Sequence, residues 1–458
     1  MLGQTKGLGR SVKREPREGR INMSIRRRAT TLLGLALAVG IAGCDGLLDV
    51  ENPNSLVQDD LESPAAAGAL ANGALATMTR GWGYMVLLHG SASDELQFTG
   101  SRNAWIQLQE GGLRDASNEF TVEAFPFINE GRWMADEAVR QLTAFDQAGQ
   151  LGNRSLLARS HLYSGMVYTQ IADLWEDWVI SDRRQEAPPV GPNNMTQMYD
   201  AAIQSLSRGL EIATSEGNAA LAQQIRAQRA RTYHARAVRQ LITPAGSTPS
   251  NPLVNDAQAV ADAQAVLAQV DPSWRFRLEF SSATVTNQWG AWVNERLELR
   301  PSDAYVSPTA DDKRVASVTL ADPIDGVVDP FLEETILEAA GARQFGPVTV
   351  VSARELRLIL AEAALATGDT GGFATHINAI RSQDGLTAWD GQVDALELLK
   401  HTRMANLFNT GRRLNDHYRF GTQSFLWAAG QDAASRPGTL LPIAQIERTA
   451  NCFILGTC

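Results

Sequence analysis

The chain has 458 residues, 44% of them hydrophobic, and a formal charge of −10. That length can bury a large core. Its acidity excludes a nucleic-acid binder, which needs clustered Lys and Arg for phosphate contacts.

Residues 1–22 are basic, polar and aperiodic. Arg26, Arg27 and Arg28 then precede an apolar run at 31–42. The run is too short to cross roughly 30 Å of hydrocarbon but right for a secretory signal. Ile41-Ala42-Gly43-Cys44 closes it with small residues before a cysteine, the pattern of a lipoprotein signal in which Cys44 is lipidated. Residues 1–43 therefore read as an N-terminal extension and signal peptide, with Met23 as the expected start. Residues 44–64, rich in Asn, Asp, Pro and Ser, read as a lipidated tether. Loss of 1–43 leaves 32 basic and 49 acidic residues, a formal −17, which also disfavours docking on anionic lipid. Two or three acyl chains on Cys44 would hold the body firmly at a membrane.

From residue 65 helical patterns dominate. An alanine-rich helix is expected over 65–78, ending before Gly81. Residues 130–148 and 155–175 form a pair around the turn 149–153. Residues 195–215 and 218–242 form another, broken at Glu216-Gly217 and stopped by Pro244, and 257–270 follows. Ser352 and Glu355 make a capping box; Leu356, Ile359, Leu360 and Ala363 share one apolar face, and Gly368 supplies the stop. The partner helix runs over 373–381. Asp394 with Glu397 opens a further helix through Phe408 to Gly411. Helices paired across short turns predict a mostly α, tetratricopeptide-like scaffold forming a single domain over 65–458.

Two stretches, near 83–118 and 271–347, lack helical period and read as long irregular inserts, where ligand contacts tend to lie. They carry aromatic residues beside amides. Trp82, Tyr84 and Trp105 flank the first, with Asn103 and Gln107 nearby; Trp274, Trp289, Trp292 and Tyr305 lie in the second, with Asn287 and Gln288. Flat aromatic faces beside amides suit a saccharide, so these seven aromatics are the candidate ligand platforms, weighed evenly against a core role. Trp133, Trp175 and Trp178, at helical positions, are expected core anchors. Cys452 and Cys458 could close a small disulfide loop in an oxidising compartment; with no nearby His, metal ligation is poorly supported.

No nucleophile elbow, phosphate loop or zinc-binding His-Glu-x-x-His is present, and the six histidines are scattered, so neither a catalytic residue nor a cofactor is expected. Asp94-Glu95 is an acid pair of the kind a glycosidase uses, but such pairs arise by chance in so acidic a chain. Asp322, Asp325 and Asp329 around Gly326 do not have EF-hand spacing and read better as solvated loop acids.

Four stretches in order along the chain resemble the SusD/RagB family of nutrient-binding outer-membrane lipoproteins. The opening Cys44-Asp-Gly-Leu-Leu-Asp-Val-Glu-Asn-Pro-Asn-Ser55 is similar to the family's cysteine, Leu-Asp and Asn-Pro. Residues 356–369 with Ile377-Asn378-Ala379-Ile380-Arg381 resemble its late helix pair. Asn406-Leu407 through Gly411, Arg413, Asp416 and Arg419 resemble the next segment, and Leu441-Pro442-Ile443, Gln445-Ile446 and Asn451 the closing one. Asn406 and Thr410 stand where the family commonly has acids, and Ala444 where it has proline. The resemblance implies a SusD-like helical scaffold, an outward-facing outer-membrane location, no enzyme activity, and a SusC-type TonB-dependent transporter as partner. The ligand would be an oligosaccharide or other nutrient handed to that transporter. Two alternatives are a tetratricopeptide scaffold for outer-membrane protein assembly and, less favoured, a lipoprotein glycoside hydrolase.

Overall fold

In the computed structural model, helix α1 (Ala67–Ala92) does not stop at Gly81 but runs 26 residues. Beyond Gly81 it is buried on every side, as a helix without a polar face must be. Gly81 and its counterpart Gly131 on α3 (Glu119–Gln147) are contact points, not terminators. A Cβ at Gly81 would sit 3.2 Å from the Ile128 Cα and the Phe127 carbonyl. One at Gly131 would sit 3.0 Å from the Met78 Cα and the Thr77 carbonyl. The two backbones touch at these glycines. Helix α3 also begins 11 residues before the expected start. Asn118 caps it by accepting from the N–H groups of Phe120 and Thr121, and Pro126 is carried on an exposed face.

The structure describes residues 62–182, 185–307 and 317–458, within the compact unit Asp59–Cys458. The signal segment, Cys44 and nearly all of the tether lie outside the described residues.

After β1 (Leu96–Phe98) and α2 (Ala104–Gln109), helices α3, α4 (Ser155–Leu174), α5 (Thr196–Ser215), α6 (Ala219–Leu241) and α7 (Ala257–Leu267) pack each on the next. Gly149 and Gly217 take left-handed backbone (φ 68° and 66°) at the tight turns, where glycine avoids the Cβ penalty. Apart from the early start of α3, these helices lie close to the sequence expectation, because caps and stops mark their ends.

β2 (Arg275–Leu278) pairs antiparallel with β6 (Val348–Ser352), with Arg275 opposite Ser352 and a bulge at Phe276/Arg277. β1 pairs with β3 (Leu299–Pro301), and β4 (Val306–Ser307) with β5 (Ser317–Val318). The second insert is therefore more ordered than its sequence implied, and also holds α8 (Pro330–Gly341). The late helices are α9 (Ala353–Ala366), α10 (Thr370–Arg381), α11 (Ala395–Asn406) and α12 (Arg413–Phe420). Phe373, Ile377, Ile380, Leu398 and Leu399 pack with Leu358 of α9 in a second, smaller core.

Buried ion pairs tie the early helices to the late ones. Arg231 of α6 donates to Glu355 (2.7 Å) and to the Val350 carbonyl (2.6 Å). The expected capping box is thus half formed: Ser352 accepts from the Glu355 N–H, while the Glu355 carboxylate serves Arg231. Glu362 accepts from Arg419 and lies 3.0 Å from His234. Burial raises its pKa, but Arg419 and His234 outweigh that and hold the carboxyl well below its usual range. Among the described residues no helix is long and apolar enough to cross a membrane.

Candidate functional site

The two inserts meet through their aromatics, which are buried. Trp82, Trp105, Trp289, Trp292 and Tyr305 are at most 2% exposed, and Tyr84 is 6%. As ligand platforms these six are corrected: their faces pack against protein. Trp105 stacks on Phe120, with ring centroids 3.6 Å apart, and Trp292 meets both edge-on at 5.3 and 5.0 Å. Tyr84 stacks on Phe127 and donates its hydroxyl to Glu123 (2.9 Å); Tyr305 packs on Phe408. The physical reason is that Trp82 and Tyr84 lie on the part of α1 that is buried on every side, and the other four aromatics carry the inserts into the main core. Trp175 and Trp178 are core anchors as expected, whereas Trp133 is only half-buried.

Trp274 is the exception among the seven. It is partly buried, packing against the main core, and it also lines a cleft of about 530 Å³. It sits between the turn at Asp271 and β2, and its carbonyl accepts from the Ala353 N–H (2.9 Å), fixing it beside the start of α9. The cleft is walled by Asp271 and Ser273 on one side, Glu334 of α8 on another, and Gln383 and Asp384 at the turn after α10. Arg275 and Arg354 complete the lining.

Both guanidiniums are held. Arg354 donates twice to Asp384 (2.7 and 2.6 Å) and once to Asn406 (2.9 Å). Arg275 donates to Glu334 (2.8 Å), with Glu338 at 3.8 Å. Phe331 lies beneath both, its ring centroid 4.7 Å from the Arg275 guanidinium carbon and 4.1 Å from that of Arg354. An aromatic face beside an amide and fixed charged groups can stack a sugar ring and hydrogen-bond its hydroxyls. Gln383, Asp384, Arg354, Arg275 and Glu334 were not evident as site residues in the sequence. Only the neighbouring Ser352 cap and the Arg381 signature marked their surroundings.

The acid groups weighed earlier are structural. Asp94 is buried against Arg413 (2.7 and 2.8 Å) and lies 3.1 Å from His417. Burial of Glu95 pushes its carboxyl up to about 8, although it accepts from the Asn409 N–H (2.9 Å). Neither acid faces an open cleft. Asp322 and Asp329 are 2% and 3% exposed, which corrects the solvated-loop expectation for them. Asp322 pairs with Arg381 (2.6 and 3.0 Å) and caps the turn through the Ile324 and Asp325 N–H groups. Asp329 caps α8. Cys452 and Cys458 are joined by a disulfide, and the Cys452 N–H donates to Glu186 (2.7 Å).

No family model matches the chain, and no curated protein does. Solved structures do. A SusD homologue from Bacteroides thetaiotaomicron superposes with a TM-score of 0.61 at 13% identity, over 87% of this chain and 98% of that one. A SusD superfamily protein from the same organism gives 0.60 at 13% identity, over 85% and 98%. A protein from Bacteroides vulgatus described as sugar binding gives 0.57 at 13% identity, over 84% and 96%. The chain has the SusD-like fold, a mostly α scaffold with helix pairs of tetratricopeptide type.

Proposed function

We propose that the protein is a SusD/RagB-type cell-surface lipoprotein that binds an oligosaccharide in the Trp274 cleft and delivers it to a TonB-dependent outer-membrane transporter. The half-buried Trp274 in a polar cleft carries this reading. It offers an apolar ring face flanked by Gln383, Ser273 and Asp271, the mixture a sugar needs. The sugar-binding relative of the same fold supports it, as do the four family-like stretches along the sequence.

The anchor belongs to the same proposal. The Cys44 signal would place the body on the outer membrane facing outward, and the −17 body would stay in solution above the lipid. Palmitate labelling that disappears in Cys44→Ser tests the anchor, and co-purification with a large barrel tests the partner. Binding is tested by calorimetric titration of the purified protein with an oligosaccharide panel. Saturable binding to a member of the panel is expected. Heat release from none, together with liberation of reducing ends, would instead favour a hydrolase.

The binding role asks for no acid–base pair, and the Asp94–Glu95 carboxylates, buried on structural partners, offer none to a ligand.

A further inference from the structure

We infer that the Trp274 cleft selects uncharged oligosaccharides and turns away acidic ones such as uronates. The inference rests on the saccharide reading above and adds the charge class of the ligand.

An acidic sugar would need a free cation. Recognition of a carboxylate usually falls to a guanidinium able to offer two parallel N–H groups. The cleft holds two guanidiniums, and both already face carboxylates. The Arg354 and Asp384 side chains are 8% and 7% exposed and joined by two hydrogen bonds, with Asn406 as a third acceptor. A ligand carboxylate that displaced Asp384 would leave a buried acid without its counter-ion, a strongly unfavourable exchange. Arg275 is closer to solvent, at 17% exposure, and pairs with Glu334, which is 65% exposed, while Glu338 at 3.8 Å takes its hydrogen bond from Arg277.

The other positive feature, the N-terminus of α9, is also occupied. The Ala353 N–H donates to the Trp274 carbonyl and the Glu355 N–H to the Ser352 hydroxyl. Meanwhile Asp271 lines the cleft as an exposed acid with no ion-pair partner among the described residues. Asp271, Glu334 and Asp384 against Arg275 and Arg354 leave the lining with one net negative charge. The acidic body adds a long-range field of the same sign. Hydroxyls lose nothing in such a site: carboxylate and amide oxygens accept from them, and the Trp274 ring covers their apolar face.

The test uses matched pairs. Oligogalacturonides, alginate oligomers and hyaluronan oligomers are each titrated beside the same oligomers after carboxyl reduction, against wild type and Trp274→Ala. At least a tenfold preference for the reduced member is expected, lost in Trp274→Ala and narrowed by added salt as the repulsion is screened. Glu334→Gln, which loosens the hold on Arg275, should shrink the preference at least threefold. Acidic members bound as tightly as reduced ones, in a Trp274-dependent way, would overturn the charge selection and leave the saccharide site standing. Binding of neither member, or binding indifferent to Trp274→Ala, would overturn the saccharide site itself and the selection with it.

Discussion

Trp105 and Trp292 meet edge to face at 5.3 Å, one from each insert, with Phe120 stacked on the first. This contact fuses two segments nearly two hundred residues apart in sequence. It makes the insert aromatics a structural core. Trp292→Ala should therefore cost about 3–5 kcal/mol of unfolding free energy, read by denaturant titration, and any loss of ligand binding should follow the loss of fold.

Helix contact at the glycines makes opposite predictions for two substitutions. At Gly131 a Cβ would press on the Met78 backbone at 3.0 Å, and backbone cannot move aside as a side chain can. Gly131→Val should destabilise by about 1–3 kcal/mol. Gly68, with open space around its missing Cβ, should gain about 0.5–1 kcal/mol on mutation to Ala. Melting curves of the two variants decide it.

Glu95 predicts a pH dependence. Burial lifts its carboxyl from an ordinary 4.5 to about 8 in the folded chain, so the folded state holds a proton that the unfolded state releases. The stability it contributes is complete below pH 4.5 and is lost as pH rises through 8, on the order of 3 kcal/mol by pH 7. His89, at 4.0 Å, runs the other way. Burial, with Arg412 and Arg231, lowers it from 6.5 to about 3, so its contribution is lost as pH falls through that window. Glu95→Gln keeps the acceptor for the Asn409 N–H and should raise the melting temperature at pH 8 while changing little at pH 4.5.

At the Asp322 loop, burial would raise the carboxyl, but hydrogen bonds from Arg381 and from the Asp325 and Ile324 N–H groups hold it below its usual range. Asp322→Ala removes two hydrogen bonds from the buried Arg381 guanidinium, leaving it Asp325 (3.3 Å) and the Thr387 carbonyl, and should cost about 1–3 kcal/mol. Excess calcium or a chelator should leave the wild-type melting curve in place.

The sequence revealed helices wherever a local signal marks their ends. Asn218 caps α6, Ser352 caps α9, and Gly149, Gly217 and Gly368 turn left-handed at the stops. It misled where one residue type serves two ends. Gly81 resembles a terminator but is a site of close helix contact. The insert aromatics had the composition of a binding platform, yet which way a side chain faces depends on partners such as Trp105 and Trp292, distant along the chain. Of the seven candidates only Trp274 lines the cleft. Its neighbour Arg354 lies on α9 and Asp384 at the turn after α10, so no spacing in the sequence joined them.

The central claim is that Trp274 forms the ligand surface while the other insert tryptophans hold the fold. The direct measurement is the affinity of wild type and Trp274→Ala for an oligosaccharide bound by the wild type, taken beside their melting temperatures. The account predicts at least a tenfold loss of affinity with the fold retained. Undiminished affinity in a folded Trp274→Ala protein would contradict it.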